Sequence, residues 1–199
     1  MPAVIGAKRM LTGIAAFVLG SVASYAIFAV RGEPFGTIND IGNGLAGGAS
    51  GALAWQLRSR PPLGDGATQI ATAAGVAGAV LAMGDSVLVI SKATGFLLAG
   101  FVSTIGFGLV GVWLVDYNRS LRARADVPGR LTTLGIATGA VMASGLSAVP
   151  AALLRYDDFA TAPAWTWLGF AGWVGTYFLL PIWCIWAARS IQFKPSSRS

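Results

Sequence analysis

Apolar residues occur in six long runs along the chain, each about as long as a helix needs to cross a bilayer. The runs cover residues 10–30, 36–57, 68–90, 93–115, 131–154 and 164–188. A hydrocarbon core about 30 Å thick requires roughly 20 mostly apolar residues of helix, and a charge within such a run is costly to insert. The pattern therefore predicts six membrane-spanning helices joined by short polar connections.

The predicted helix boundaries coincide with residues that stop or turn a helix. Pro61 and Pro62 follow the second run and end any helix there. Gly95 lies in the tight connection between the third and fourth runs, which predicts an antiparallel helix pair. Pro181 lies inside the sixth run and predicts a bend near Tyr177, because proline cannot donate the backbone hydrogen bond of a continuous helix.

Basic residues are distributed unevenly between the two sides that these six runs define. Eleven of the fourteen Lys and Arg residues lie on the side of the termini, and they are Lys8, Arg9, Arg58, Arg60, Arg119, Arg122, Arg124, Arg130, Arg189, Lys194 and Arg198. Only Arg31, Lys92 and Arg155 lie on the other side. The positive-inside rule then places both termini in the cytoplasm, with Trp55, Trp113 and Trp183 at the cytoplasmic interface.

The predicted fold class is thus an all-α integral membrane protein, a single six-helix transmembrane bundle over residues 1–199. Composition agrees, since 55% of the residues are hydrophobic and only 11% are charged, against roughly 25% charged residues in soluble domains. The rich use of Ala, Gly and Arg favours a bacterial origin and a multi-pass protein of the plasma membrane. The net charge of +6 is explained by topology, so we expect lipid rather than nucleic acid as a partner.

The chain lacks the side chains on which most catalytic and metal sites depend. It has no histidine, which removes the usual general base and the commonest metal ligand. Its single cysteine, Cys184, lies in the last apolar run and can form no intramolecular disulfide. No motif for nucleotide hydrolysis, zinc proteolysis or thiol redox chemistry occurs. We therefore expect no catalytic residue, no metal and no cofactor.

One short motif has a known counterpart in membrane enzymes. Gly48-Ala49-Ser50-Gly51 resembles in form the GxSG motif of rhomboid intramembrane proteases, a six-helix family. That family pairs the serine with a histidine on a later helix, and this chain has none. Without a base the serine is a poor nucleophile, so the residues argue against a protease.

Glycines in the apolar runs recur at helical spacing. Gly44, Gly48 and Gly51 lie on one face of the second run, and Gly135 and Gly139 repeat the four-residue spacing on the fifth. Small residues at this spacing let neighbouring helix backbones approach closely. The pattern predicts close helix contacts within the protomer, with contact between protomers as the alternative.

Two carboxylates lie inside the predicted spans at similar depth. Asp40 is about four residues from the outer end of the second run and Asp85 about five from that of the third, which places both roughly 6–8 Å below the outer interface. Because an intramembrane carboxylate is costly, it suggests a functional site.

Other polar residues complete this candidate site. Asn39, Asn43 and Ser86 would add hydrogen-bonding groups, and Arg31 and Lys92 would supply counter-charge from the outer connections. The site would bind a cation, a proton or a small polar solute. The alternative is structural, in that Asp40 caps the second helix and Asp85 pairs with Lys92 or with headgroups.

These observations leave three hypotheses for the function. The first is a non-catalytic subunit, assembly factor or regulator of a membrane complex, acting with other membrane subunits or as a homo-oligomer. The second is a small transporter coupled to a cation or a proton through Asp40 and Asp85. A lipid-modifying enzyme ranks third, because two carboxylates alone give it little support.

Overall fold

The protein forms six helical segments in the computed structural model, which describes residues 2–58, 66–158 and 160–190. No strand occurs within those ranges. The segments are α1 (Pro2–Arg31), α2 (Phe35–Leu57), α3 (Gly66–Ile90), α4 (Phe96–Leu121), α5 (Gly129–Leu153) and α6 (Ala164–Ser190). The predicted helix breakers Pro61 and Pro62 and the basic residues Arg60, Lys194 and Arg198 lie outside the described residues.

Five of the segments are long and apolar enough to cross a membrane. They are α1 from Ile5 onward, α3, α4, α5 and α6, and they make the chain a helical membrane protein. The second predicted span, α2, is a helix of 23 residues but does not reach the same hydropathy. Its sequence explains the lower hydropathy, because it contains several glycines and the polar residues Asn39, Asp40 and Asn43.

Helices that are adjacent in sequence pack against each other along the whole chain, and α6 returns to contact α1. The most buried candidate span is α4, which contacts α3 and α5 most extensively and also reaches α2 and α6. Large side chains with almost no exposure fill the interior, among them Ile14, Leu53, Phe101, Leu114 and Met142.

Glycines lie where the helices approach most closely. A Cβ atom on Gly51 would stand 2.6 Å from the Ala79 Cβ of α3, and one on Gly44 would stand 3.1 Å from the Ser86 Cβ. A Cβ on Gly48 would meet only the flexible thioether of Met83, at 3.0 Å. The glycine face of α2 is therefore directed toward α3 within the same protomer.

The glycine pair of α5 lies against α4. A Cβ on Gly139 would stand 2.6 Å from the Gly111 carbonyl oxygen, and one on Gly135 would collide with the amide of Asn118. Asn118 is fully buried, donates from Nδ2 to the Leu114 carbonyl at 2.9 Å and accepts a bond from Trp183 Nε1 at 3.3 Å. This amide thus connects α4 with α5 and α6.

The last two segments are irregular. In α5 a 3₁₀ stretch, Ser144–Ala148, precedes Val149–Leu153, and in α6 a π-helical turn covers Gly175–Leu179. Pro181 lies two residues after that turn and has no N–H to bond to the Tyr177 carbonyl. A π-helical turn thus lies where the sequence predicts a bend.

Three helix ends take a left-handed backbone conformation at the side that sequence analysis predicts to be outer. They are Gly32 with φ 70°, Lys92 with φ 57° and Arg155 with φ 57°. The left-handed residue of the α3–α4 connection is thus Lys92, whereas Gly95 has φ −79° and precedes α4. The role of turn former assigned to Gly95 from the sequence is wrong in this respect.

Two further expectations need correction. The basic connection predicted from residue 116 is shorter, because α4 continues to Leu121 and α5 begins at Gly129. Trp113 and Trp183 are 4% and 2% exposed and belong to the core rather than to an interfacial belt. Trp55 is 58% exposed, with the Arg58 guanidinium 3.2 Å from its ring centre. Hydropathy alone does not separate an indole that faces the bundle from one that faces lipid.

Candidate binding cavity

A cavity of about 190 Å³ lies between five of the six helices. It occupies the end of the bundle where the α1–α2 and α3–α4 connections lie. Its lining residues are Val22, Tyr25, Asn39, Asp40, Asn43, Asp85, Val89, Phe96, Ala99, Gly100, Ser103, Trp173, Tyr177 and Phe178. Four of the residues predicted to form one polar site are in this set.

Helix α2 contributes three polar side chains from its buried face. Asn39 and Asn43 are one helical turn apart and nearly fully buried, and Asp40 beside them is partly buried. The Asn39 Nδ2 donates to Asp40 Oδ1 at 3.1 Å, which orients the carboxylate. The Ser21 hydroxyl of α1 donates to the Asn39 carbonyl at 3.1 Å and fixes this turn against its neighbour.

Helix α3 contributes the most deeply placed carboxylate. Asp85 is 7% exposed, and its Oδ1 has no hydrogen-bond partner in the described structure. Asp40 lies close enough to interact with it electrostatically, and Ser103 of α4 is its polar neighbour across the cavity. Two carboxylates from different helices therefore line one cavity.

Asp85 has Ser103, and Asn43 has Tyr177, as a polar neighbour, but three buried polar atoms that line this cavity make no hydrogen bond of standard geometry. They are Asp85 Oδ1, Asn43 Oδ1 and Ser103 Oγ. Buried polar atoms in native proteins are nearly always paired, and a cluster of unpaired ones indicates a place for water, an ion or a ligand. The cavity accordingly offers acceptor oxygens to a molecule that brings donors or positive charge.

Aromatic rings form much of the remaining wall. Tyr25 of α1 stacks on Phe96 of α4 with ring centres 6.3 Å apart and planes inclined by 9°. Trp173 of α6 donates from Nε1 to Thr104 Oγ1 at 2.7 Å, and Tyr177 lies edge-on to it at 6.0 Å. Tyr25, Phe96 and Phe178 are well exposed, so the cavity reaches the surface of the molecule past these three rings.

Three predicted site residues lie outside this lining. Ser86 donates to the Ala82 carbonyl of its own helix at 3.2 Å and packs against Gly44. Arg31 and Lys92 form no salt bridge with Asp40 or Asp85 in the described structure, and neither residue lines the cavity. Among the described residues, therefore, Arg31 and Lys92 do not supply counter-charge to the two carboxylates.

The structural alternative for Asp40 is wrong. Asp40 is the sixth residue of α2, beyond the first turn, and the helix has no side-chain cap from it. The carboxylate that accepts hydrogen bonds at this helix start is Glu33, whose Oε2 receives Thr37 N at 3.3 Å and Thr37 Oγ1 at 3.0 Å. The position of Asp40 is thus not explained by capping.

The serine of the short GxSG string has a structural role. Ser50 is 2% exposed and donates to the Ala46 carbonyl at 2.8 Å, on the face of α2 that packs in the bundle. Groups of three or more His, Cys, Asp or Glu side chains that would hold a metal ion are also lacking among the described residues.

Five of the ten cavity residues that were not predicted from the sequence are aromatic. Tyr25, Trp173 and Tyr177 belong to apolar runs, where an aromatic ring is indistinguishable from a lipid-facing or core residue. One signal was available, since Trp173 and Tyr177 are four residues apart and lie on one helix face beside the proline-induced bend. Ser103 carried no signal, because a single serine is common in membrane helices.

Comparison with protein-family models, with curated proteins and with solved structures gives no match to this chain. The class of protein rests on the helices, which are those of a helical membrane protein. Any assignment of function rests on the cavity and its chemistry.

Proposed function

We propose that the protein is a small membrane carrier that binds a cationic solute between Asp40 and Asp85. The observation that carries the proposal is the meeting of two carboxylates and other unpaired acceptor atoms in one cavity that no basic side chain lines. Such an uncompensated arrangement within a bundle is costly unless a cation or protons neutralise it. This observation favours the transporter over the non-catalytic subunit.

The carrier spans the plasma membrane six times, with both termini in the cytoplasm. Support for α2 as the sixth span comes from its exposed residues, which are all apolar and are Ile38, Ile41, Leu45, Ala52 and Trp55. They form the lipid-facing stripe of a helix whose polar residues point inward. The charge asymmetry in the sequence supports the orientation and puts the cavity in the outer half of the membrane.

Recordings from proteoliposomes on a solid-supported membrane test the proposal. Pulses of sodium, potassium, magnesium, tetramethylammonium and propylammonium ions are applied, and currents from protein-free liposomes are subtracted. We expect at least one cation to move charge in the wild type, and we expect Asp40→Asn and Asp85→Asn to lose about 90% or more of that current, since each removes a charge that binds the ion.

Asp126→Asn is the matched control, because Asp126 lies in the α4–α5 connection at the other end of the bundle and pairs with Arg124 at 2.9 Å. It should leave the current unchanged. Absence of current with every cation, from protein that is folded in the liposomes, contradicts the proposal. A stoichiometric membrane partner that copurifies in mild detergent would then establish the non-catalytic subunit instead.

A further inference from the structure

We propose that the ligand of this cavity is a small primary organic ammonium ion, an inference that rests on the proposed function and specifies its substrate class. The ammonium group would lie between Asp85 and Asp40, and its short apolar body would lie against the aromatic wall. Charge, hydrogen-bonding capacity and wall chemistry each contribute to this assignment.

The charge of the lining requires a cation. Asp40 and Asp85 are the only charged side chains among the lining residues, and the exposed carboxylate of Glu33 lies close enough to Asp40 to act on it electrostatically. No Lys or Arg is among those residues. An anionic or neutral solute would leave both carboxylates without compensation.

The unpaired atoms require hydrogen-bond donors. Asp85 Oδ1 and Asn43 Oδ1 can only accept, and Ser103 Oγ can accept as well as donate. A primary ammonium group has three N–H donors, and the Asp85 and Asn43 oxygens that line this cavity can accept from them. A quaternary ammonium has the charge but no donor, so it would leave these oxygens unpaired.

The wall argues against a metal ion. Magnesium and calcium ions need six or more oxygen ligands, and the described residues hold no group of three His, Cys, Asp or Glu side chains that could bind a metal ion. Five aromatic rings line the cavity instead, and they are Tyr25, Phe96, Trp173, Tyr177 and Phe178. Faces and edges of such rings attract organic cations and cover alkyl groups.

The size of the cavity restricts the ligand to a small molecule. A volume of about 190 Å³ is below the range of roughly 300–1,000 Å³ that is usual for drug-sized ligands. The hydrogen bond from Trp173 to Thr104 and the stacking of Tyr25 on Phe96 hold two walls in fixed orientations. A short alkylammonium fits this space better than a large polyamine or a lipid.

Calorimetry on the detergent-purified full chain tests the ligand class with propylammonium as the probe. Propanol serves as the neutral isostere, and tetramethylammonium, sodium and magnesium ions serve as alternative cations. We expect saturable binding of propylammonium, weaker binding of tetramethylammonium and no saturable binding of propanol. Asp85→Asn should weaken propylammonium binding at least about thirtyfold, and Asp40→Asn provides a second carboxylate variant if the first fails to fold.

The aromatic contribution is tested separately. Tyr25→Leu should weaken propylammonium binding about threefold to tenfold, while Tyr25→Phe should lose less because it keeps the ring. Tyr156→Leu is the control, since Tyr156 contacts Trp165 in the α5–α6 region and does not line the cavity. Tyr156→Leu should bind propylammonium as tightly as the wild type does.

Four results would overturn the inference. Equal binding of propanol would show that charge is not recognised, and an effect of Tyr156→Leu equal to that of Tyr25→Leu would remove the aromatic argument. Binding of sodium or magnesium that depends on Asp85, without binding of propylammonium, would refute the ammonium class and leave the carrier intact. Absence of binding by every cation, together with absence of current, would refute both.

Discussion

A single aspartate from a distant part of the chain caps the first turn of α4. Asp157 Oδ2 accepts from Gly95 N at 2.8 Å, and Oδ1 accepts from Leu98 N at 3.0 Å. A Cβ on Gly95 would collide with the same carboxyl group, which explains the glycine at a position whose backbone conformation does not require one. The cap attaches the α5–α6 connection to the helix that forms one wall of the cavity.

Replacement of Asp157 by Ala should therefore destabilise the protein. Loss of two hydrogen bonds and of a negative charge at a helix N-terminus should lower the free energy of unfolding by about 1–2 kcal/mol. Asp158→Ala is the matched control, because among the described residues the Asp158 carboxylate accepts only a local bond, from Ala160 N. Thermal unfolding in detergent measures both, and equal losses in the two variants would contradict the capping role.

Single residues of the candidate site can be predicted from the sequence where a residue type is unusual for its surroundings. Asp40 and Asp85 stand out because carboxylates are costly in apolar runs, and their shared depth is sufficient to predict that they lie together. Asp157 does not stand out, since acidic residues are ordinary in a polar connection. Its partners are 59 and 62 residues away, and no helical spacing relates positions so distant.

At the scale of helices, α3 and α4 approach through a reciprocal glycine contact. A Cβ on Gly78 would collide with the Gly106 carbonyl oxygen, and a Cβ on Gly106 would stand 2.7 Å from the Gly78 carbonyl oxygen. Backbone meets backbone here, so no side chain can move aside. This contact sets the separation of the helices that carry Asp85 and Ser103.

Gly78→Ala should consequently force α3 and α4 apart. We expect a loss of about 1–3 kcal/mol in the free energy of unfolding, as for other overpacked interiors. Gly84→Ala on the same helix is the control, because a Cβ there has no atom within 4 Å. Unfolding monitored by circular dichroism measures the stability of both variants. Comparable stability would show that the two helices are not in close contact.

The ends of the helices explain the three basic residues on the predicted outer side. Arg31 is in the last turn of α1, and Lys92 and Arg155 follow the ends of α3 and α5. A positive charge at a helix C-terminus is favourable for the helix dipole. The sequence-based prediction that Arg31 and Lys92 act as counter-charges assumed that they lie close to Asp40 and Asp85. They lie instead at helix ends, and the two carboxylates lie more than one helical turn further into the bundle.

For the whole molecule, the apolar runs predict the number and order of the helices better than their interior shape. The hydropathy pattern predicts α4 to end near residue 115, whereas the helix continues to Leu121 through Asp116 and Arg119. A change from apolar to polar residues marks the end of an apolar surface, which need not be the end of a helix. The π-helical turn of α6 and the rings that it places in the cavity depend on tertiary packing that periodicity does not report.

The proposal of a carrier requires that Asp40 and Asp85 create a negatively charged cavity accessible from outside the cell. It predicts how a cysteine at Ser103 reacts with small membrane-impermeant thiol reagents of opposite charge, added to intact cells. Background labelling should be low because the one native cysteine, Cys184, is buried. Ser91→Cys, in the exposed α3–α4 connection, corrects for the intrinsic reactivity of the two reagents.

For each variant, the labelling rate with the cationic reagent is divided by the rate with the anionic one. This ratio should be about tenfold higher for Ser103→Cys than for Ser91→Cys, because an uncompensated carboxylate concentrates cations in a confined site. Addition of Asp85→Asn should remove most of this preference. Equal charge preference at both positions, or labelling of Ser103→Cys only from the cytoplasmic side of inverted vesicles, would contradict the account.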